Sequence, residues 1–203
     1  MKLYFAAPSP FVRKCLVCAH ELGLRDRLEL IPAAPHPVNR DQSLVAQNPL
    51  GKIPTLITAQ GEVLYDSRVI CEYLNDAAHG TMIPAPGPAR WRVLVDQALA
   101  DGIMDAAVLT RYETTVRPEN LRWDAWSGGQ LEKVSCGLAE IDKRAAGFGD
   151  RVDLGVIAIG CALGYLDLRF GSLAWRQQHP QAARWFEGFS ERESMLETRV
   201  PAN

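Results

Sequence analysis

The chain has 203 residues, of which 47% are hydrophobic, and its formal net charge at pH 7 is -2. This composition is typical of an ordinary packed globular protein, and the charge gives no basic footprint for nucleic acid. No apolar run is long enough to predict a membrane span or a signal peptide, and five cysteines without a secreted-domain spacing predict a reduced, cytoplasmic protein.

The first eighty residues predict short strands and helices in alternation. Strand patterns occur in KLYFA, LELIP, NPLGKIPTLIT and VLY. A helical pattern in FVRKCLVCAHELGL ends at Gly23, and a second one, SRVICEYLNDA, has Ser67 placed as its N-cap. The order is therefore β-α-β, a proline-rich loop with one irregular helix, and then β-β-α.

The composition changes after this region. A stretch rich in glycine and proline, HGTMIPAPGPA, predicts a linker between a domain at 1–79 and a second domain at 86–203. The second domain shows only helical patterns. One of them contains the pair Gly128–Gly129, where we expect a bend, and another, LGVIAIGCALGYLDLRF, is so apolar that we expect it to be buried on all sides.

The β-α-β-β-β-α order is that of a thioredoxin fold, whose chemistry lies where the first strand meets the first helix. Here that position holds SPFV, with Ser9 and Val12 where a redox protein has two cysteines. A serine at a helix start can simply cap the helix. It can also donate a hydrogen bond to an anion held at the positive end of the helix.

Two further segments fit a binding site in this fold. In GKIPTL, the Ile53–Pro54 bond precedes a strand, where a thioredoxin fold has a cis-proline. In LYDSRVICEYL, Asp66 and Ser67 stand at a helix start, where their oxygens and free N–H groups gather. That arrangement suits a zwitterion, although a plain Asp-Ser cap explains the same residues.

The ordered set SPFVRKC, NPLGKIPTLI, LYDSRVICEYL, the proline-rich linker and IAIGCALGYLDLRF resembles the cytosolic glutathione transferases, especially bacterial members with a serine in an SPFVRK context. The resemblance spans nearly the whole chain. It implies a thioredoxin-like α/β N-terminal domain, an all-α C-terminal domain, glutathione as co-substrate without a metal, and a homodimer.

The resemblance also implies roles for residues. Ser9 faces the glutathione sulfur, and the backbone of Ile53, beside Pro54, pairs with the tripeptide. Asp66 and Ser67 hold the γ-glutamyl end. The remaining expected glutathione-binding residues are Phe11 and His36, the latter near the glycine end, although a loop histidine without function is an equal alternative.

Other candidates are weaker. Cys15 and Cys18 form a C-x-x-C, but Cys15 lies six residues beyond Ser9, so we expect ordinary buried cysteines. Tyr4 is an alternative sulfur partner, since some transferases use an N-terminal tyrosine. It lies within the strand rather than at its end, so we expect core packing or a surface role. The histidines have no metal-ligand spacing with the cysteines, so we expect no metal site. Arg111 or Tyr112 are candidates to line an acceptor pocket.

Two positions depart from the family pattern. The buried helix begins with DLGV, where Asp153 can cap but Val156 replaces the acid of a capping box, so we expect some loss of stability or slower folding. Near the end, Glu193 stands where relatives often have a proline after arginine. Both changes fit a specialised member of the family.

Three functions follow from these features. The first is a glutathione S-transferase in which Ser9 activates the thiolate for attack on a small hydrophobic electrophile. The second is a non-catalytic binding or regulatory protein that keeps the fold. The third is a glutathione-dependent reductase, peroxidase or dehalogenase, although a serine at the thiol position excludes a mixed disulfide through that residue.

Overall fold

The computed structural model describes residues 1–200, which form two compact units. The first unit consists of Met1–Ala85 together with the segment that begins at Glu193, and the second is Pro86–Arg192. The predicted domain at 86–203 included this last segment, which instead contacts the first unit.

The first unit is built around a four-stranded sheet of strands β1 (Lys2–Phe5), β2 (Glu29–Pro32), β3 (Thr55–Ile57) and β4 (Val63–Leu64). Their order is β2-β1-β3-β4, with β1 and β2 parallel and the other pairs antiparallel. Gly61 has φ +87° in the turn of the β3–β4 hairpin, a conformation that glycine adopts without strain. The unit has the expected thioredoxin-like architecture.

Four helices complete the first unit: α1 (Pro10–Glu21), α2 (Gln42–Val45), α3 (Ser67–Ala77) and α9 (Glu193–Glu197). Leu3 and Leu56, neighbours across β1 and β3, are fully buried. Cys15 and Cys71 are fully buried where α1 packs on α3. Ser67 is the first residue of α3 and Asp66 is its N-cap, so the prediction that Ser67 caps this helix is wrong by one position.

The second unit is helical throughout, as expected. It contains α4 (Pro88–Thr115), α5 (Asp124–Arg144), α6 (Leu154–Arg169), α7 (Trp175–Gln178) and α8 (Pro180–Ser190). α5 continues through Gly128–Gly129 without interruption. The last predicted helical stretch is divided between α8 and α9.

The core of the second unit is α6, whose residues from Leu154 to Leu163 are all buried. At Gly155 a Cβ atom would lie 2.8 Å from Asp96 Cβ and 2.9 Å from the Val93 carbonyl oxygen, so the absence of a side chain lets α6 approach α4 closely. Among residues 1–200, no single helix is long and apolar enough to cross a membrane. The pair Leu154–Arg169 and Gly171–Gln178, bent by 98°, passes on length and composition only.

The N-terminus of α6 is capped as predicted. Asp153 Oδ1 accepts hydrogen bonds from the N–H groups of Gly155 and Val156 at 3.0 and 3.1 Å, whereas Asp153 Oδ2 accepts one from Arg151 Nε at 2.8 Å. Arg151 also bonds the buried Asp96 on α4. The side chain of Val156 is fully buried, where an unpaired acid would be costly.

Candidate functional site

The sheet topology brings the candidate segments to one edge. Because β1 and β2 are parallel, both end at that edge, and the antiparallel β3 begins there, with Tyr4 opposite Thr55. β4 runs antiparallel to β3 and therefore ends at the same edge. Ser9, His36, the Ile53–Pro54 bond and Asp66 all lie in the loops or helix starts at this edge.

Ser9 caps α1 in the structure. Its Oγ accepts a hydrogen bond from the Val12 N–H at 3.3 Å, and the side chain is partly exposed. Pro10 has no N–H to donate, and among the described residues the Phe11 N–H has no acceptor. The helix therefore starts with one free amide donor and a hydroxyl that still has its own proton to donate.

The Ile53–Pro54 bond is cis, as expected for this fold, and the Tyr65–Asp66 bond is also cis. The loop before β3 is held by Asn48, a nearly fully buried residue. Its Nδ2 donates to the Lys52 carbonyl oxygen at 3.1 Å and to Thr55 Oγ1 at 2.9 Å. Within residues 1–200, the N–H and C=O of Ile53 make no hydrogen bond, so both are available to an extended ligand.

Asp66 and Ser67 present several polar groups at the start of α3. Asp66 is exposed, and its Oδ1 accepts a hydrogen bond from the Arg68 N–H at 2.9 Å. No contact described in 1–200 occupies Asp66 Oδ2. Ser67 is 2% exposed, and its carbonyl oxygen lies 3.8 Å from Cys15 Sγ. A carboxylate and first-turn amides side by side can bind an ammonium and a carboxylate together.

His36 lies in the loop after β2 and organises that loop. Its Nδ1 accepts hydrogen bonds from the N–H groups of Val38 at 3.2 Å and Asn39 at 2.9 Å. The contacts of His36 are therefore local, and only Nε2 of its ring is left for a ligand.

The cysteines of the C-x-x-C lie in the interior of the first unit. Cys15 and Cys18 are both fully buried, and Cys71 Sγ on α3 is 3.8 Å from Cys15 Sγ. Burial raises the pKa of Cys15 well above its usual value, and Cys71 adds to the effect. A thiol of this kind is not a reactive nucleophile. Tyr4 is half-buried within β1.

One group in residues 1–200 has metal-ligand chemistry, on the contact between α1 and α9. The ligand atoms of His20, Glu193 and Glu197 lie within 4.8 Å of one another, and His20 Nε2 is 3.4 Å from Glu197 Oε2. Both carboxylates are exposed. We assign no metal to this group.

Two features of the structure were not found by sequence reasoning. Lys14 is fully buried on α1, one turn beyond Phe11, with its Nζ 6.0 Å from the Phe11 ring centroid. Arg169 is the last residue of α6 and is half-buried. The signal for Lys14 was its place on the buried stripe of α1, and the signal for Arg169 was a charge at the end of an apolar helix.

The comparisons with known proteins agree with this architecture. The family model for the glutathione S-transferase N-terminal domain matches residues 8–77, and the one for the C-terminal domain matches residues 106–188. The uncharacterised GST-like protein YibF of Escherichia coli is 35% identical to the chain, and the alignment covers 99% of each sequence.

Two similar crystal structures hold ligands. A glutathione transferase family member from Pseudomonas fluorescens Pf-5 with bound glutathione is 46% identical, has a TM-score of 0.96 and is covered over 98% of both chains. A structure from the same organism with bound S-(propanoic acid)-glutathione is 45% identical, has a TM-score of 0.91, and covers 99% of this chain and 100% of its own.

The family models match the two halves of the chain in order, and the similar chains are covered from end to end. The sheet edge with Ser9, the cis Ile53–Pro54 bond and Asp66 lies within the matched N-terminal domain. The chain therefore belongs to the glutathione S-transferase family.

Proposed function

We propose that the protein is a glutathione S-transferase in which Ser9 stabilises the thiolate of bound glutathione. The observation that carries the proposal is the start of α1, where the Ser9 hydroxyl and the free Phe11 amide are close in the chain. The hydroxyl can accept from Val12 and donate to sulfur at the same time. Capping the helix and activating the thiol are therefore compatible roles.

The energies involved are sufficient for the chemistry. A free thiol has a pKa of about 8.5, so only a few per cent is thiolate at neutral pH. A hydrogen bond to a charged group contributes about 1.5–3 kcal/mol, and a helix N-terminus about 0.3–1 kcal/mol. Together these lower the thiol pKa by roughly 1.5–3 units, at about 1.36 kcal/mol per unit. The thiolate then dominates at neutral pH.

The rest of the tripeptide is assigned to the same sheet edge. Asp66 Oδ2 pairs with the γ-glutamyl ammonium, and Ser67 with the first-turn amides of α3 binds the neighbouring carboxylate. The free N–H and C=O of Ile53 form backbone hydrogen bonds to the ligand, and His36 is the candidate at the glycine end. Two structures of the same Pseudomonas relative, one with bound glutathione and one with bound S-(propanoic acid)-glutathione, support glutathione as the ligand.

The proposed reaction joins the thiolate to a small hydrophobic electrophile. The sulfur forms a bond to an electrophilic carbon, and a leaving group departs or a proton is taken up. Positioning the thiolate beside the acceptor supplies the remaining rate acceleration. The five free cysteines fit a reduced compartment such as the cytoplasm.

Calorimetric titration with glutathione tests the proposal. We expect micromolar-to-millimolar binding to the unmodified protein, which Asp66→Ala weakens at least tenfold. The control is Asp76→Ala, an exposed acid at the other end of α3. Failure of the unmodified protein to bind glutathione would favour the non-catalytic alternative, and Ser9 would be only a helix cap.

We also propose that the protein forms a homodimer through α4. Trp91, Val95 and Leu109 are 64%, 51% and 42% exposed, and their spacing of four and fourteen residues places them on one helix face. Large apolar side chains exposed on one face of a helix indicate an interaction surface. The resemblance to a family of dimers supports a second copy of the chain as its partner.

A further inference from the structure

Two half-buried arginines of the second unit, one on α4 and one on α6, have no acidic partner among residues 1–200. Arg111 and Arg169 are both half-buried, and among residues 1–200 neither guanidinium forms an ion pair. Other arginines of this unit, namely Arg117, Arg144, Arg151 and Arg176, each pair with a carboxylate. Partly burying a charge without a partner is costly, so this exception calls for an explanation.

The Nε atom of Arg169 is the strongest evidence that a partner is missing from this pair of arginines. This atom is shielded from solvent and has no hydrogen-bond acceptor within the described part of the chain. Its place in the last turn of α6 is favourable to a positive charge, but it gives the N–H no acceptor. Buried guanidinium N–H groups are normally bonded, so an unbonded one points to an acceptor supplied by a ligand.

Two tyrosines complete the cluster. Tyr165 lies one turn before Arg169 on α6 and is 6% exposed, and Tyr112 follows Arg111 on α4. Arg111 and Arg169 lie in the C-terminal parts of α4 and α6, two helices that pack against each other. Burial raises the pKa of Tyr165, and the positive charges of Arg111 and Arg169 oppose this rise. Tyr165 also packs edge-on against Phe170, with ring centroids 6.2 Å apart.

We propose that Arg111 and Arg169 bind the carboxylate of the acceptor substrate, and that the substrate class is a small aromatic electrophile carrying a carboxylate. The proposal rests on the proposed function for the reaction itself. Each guanidinium can donate to one oxygen of a carboxylate, and the Tyr165 hydroxyl adds a donor. Tyr165 and Phe170 offer aromatic surface to the body of the ligand.

A matched pair of probes tests the substrate class: 4-chloro-3-nitrobenzoate and its methyl ester. Glutathione thiolate attacks the carbon that bears chlorine, the C–S bond forms, the C–Cl bond breaks, and chloride leaves while the thiol proton goes to solvent. Each enzymatic rate is divided by the uncatalysed rate with glutathione. We expect the corrected kcat/KM to favour the acid at least tenfold.

The variants assign this preference to the two arginines. Arg111→Gln and Arg169→Gln should each lose most of it, whereas Arg169→Lys keeps the charge and should retain part. The control is Arg184→Gln, an exposed arginine of α8. Thermal unfolding shows whether each variant is folded. Equal corrected rates for acid and ester in the unmodified protein, or a preference that survives in both Gln variants, would overturn the proposal.

A binding measurement separates this inference from the proposed function. 3-Nitrobenzoate and 3-nitrobenzamide have the same shape and lack the leaving group, so their affinities do not depend on glutathione chemistry. We expect the acid to bind at least tenfold more tightly and to lose this advantage in Arg169→Gln. If glutathione does not bind, the proposed function fails and this comparison still decides the anion site. If glutathione binds but the acid has no advantage, only the inference fails.

Discussion

Arg13 Nη2 on α1 donates a hydrogen bond of 2.9 Å to the carbonyl oxygen of Met195 on α9, 182 residues later in the chain. Arg13 Nε also donates to Thr198 Oγ1 at 3.3 Å. Ser194 Oγ donates to Glu21 Oε1 from the same short helix. The helix that Ser9 caps is therefore held at Arg13 and at Glu21 by a segment from the far end of the sequence.

We expect Arg13→Gln to lower the free energy of unfolding by about 1–2 kcal/mol, because partly buried hydrogen bonds from a charged group are lost. Urea unfolding measures this change, and hydrogen exchange should show faster opening of α9. Arg27→Gln, an exposed change in the same unit, is the control and should have almost no effect. Equal stability of the Arg13 and Arg27 variants would remove Arg13 from this role.

Ser9→Ala should reduce kcat/KM for conjugation at pH 7 by roughly 10- to 100-fold, since a hydrogen bond to a charged group contributes about 1.5–3 kcal/mol. The pKa of the bound thiol should rise, so the difference from the unmodified protein should shrink as the pH increases. Glutathione affinity should change much less than the rate.

The control is Ser9→Thr, which keeps a hydroxyl at the helix start. Loss of the cap costs about 1 kcal/mol of stability in Ser9→Ala, so rates are compared well below the unfolding temperature. Identical pH–rate profiles for Ser9→Ala and the unmodified protein would contradict the proposed donor.

Glu113 makes a contribution to the free energy of unfolding that depends on pH. Its Oε2 accepts from Arg117 Nε at 2.6 Å and its Oε1 accepts from the Trp123 N–H at 2.8 Å, and these bonds lower the Glu113 pKa below its ordinary value near 4.5. Because the folded-state pKa is lowered, the contribution is present above pH 4.5 and lost as the pH falls through the folded-state value.

Urea unfolding of Glu113→Gln from pH 7 to pH 3.5 checks this effect. The unmodified protein should be the more stable at neutral pH, and the difference should narrow at the acid end. Glu119→Gln, an exposed change in the following segment, is the control. Its difference in unfolding free energy from the unmodified protein should stay the same across this pH range. A gap for Glu113→Gln that does not vary with pH would disprove the linkage.

Asp153→Ala should destabilise the second unit by about 1–2 kcal/mol, because two N–H groups at the start of α6 lose their acceptor. The side chain of Arg151 loses one of its two carboxylate partners in the same step. Asp153→Asn keeps the cap but not the charge and should cost less. Thermal unfolding of the unmodified protein and the two variants measures the order of their stabilities. Equal destabilisation by Ala and Asn would contradict the role of the cap and assign the loss to the charge of Asp153.

Trp91→Glu should convert the proposed dimer to a monomer, because it puts a charge into the proposed apolar contact. Sedimentation equilibrium measures the mass, which should approach the 22.4 kDa of one chain. Trp123→Glu, a similarly exposed tryptophan outside α4, is the control. A monomeric unmodified protein would disprove the dimer.

Local signals in the sequence were enough for most of the fold. Alternating patterns located the strands of the first unit, and helical periodicity located its main helices. The apolar run around Ile157 identified α6 as buried. The position of the segment at Glu193 was not predictable, because its contacts to α1 come from 180 residues away. A helical pattern shows which face is apolar, not which unit that face contacts.

The candidate site was predictable only as far as the topology allows. Ser9 and Asp66 follow the ends of β1 and β4, and Ile53 precedes the start of β3, so the strand order brings them to one edge. The proposed joint role of Arg111 and Arg169 was not predictable, because they are 58 positions apart on helices whose register is set by packing at Gly155. An unpartnered charge is visible only when the positions of all possible partners are known.

The division of the chain has a consequence for dissecting the protein. The helical unit is continuous, from Pro86 to Arg192, whereas the thioredoxin-like unit is made of two separate pieces. A fragment that stops at Ala85 would expose the face of α1 that covers Met195 and would leave the Arg13 guanidinium without its carbonyl acceptor. An autonomous version of the thioredoxin-like half thus requires grafting the α9 peptide after residue 85 through a designed linker.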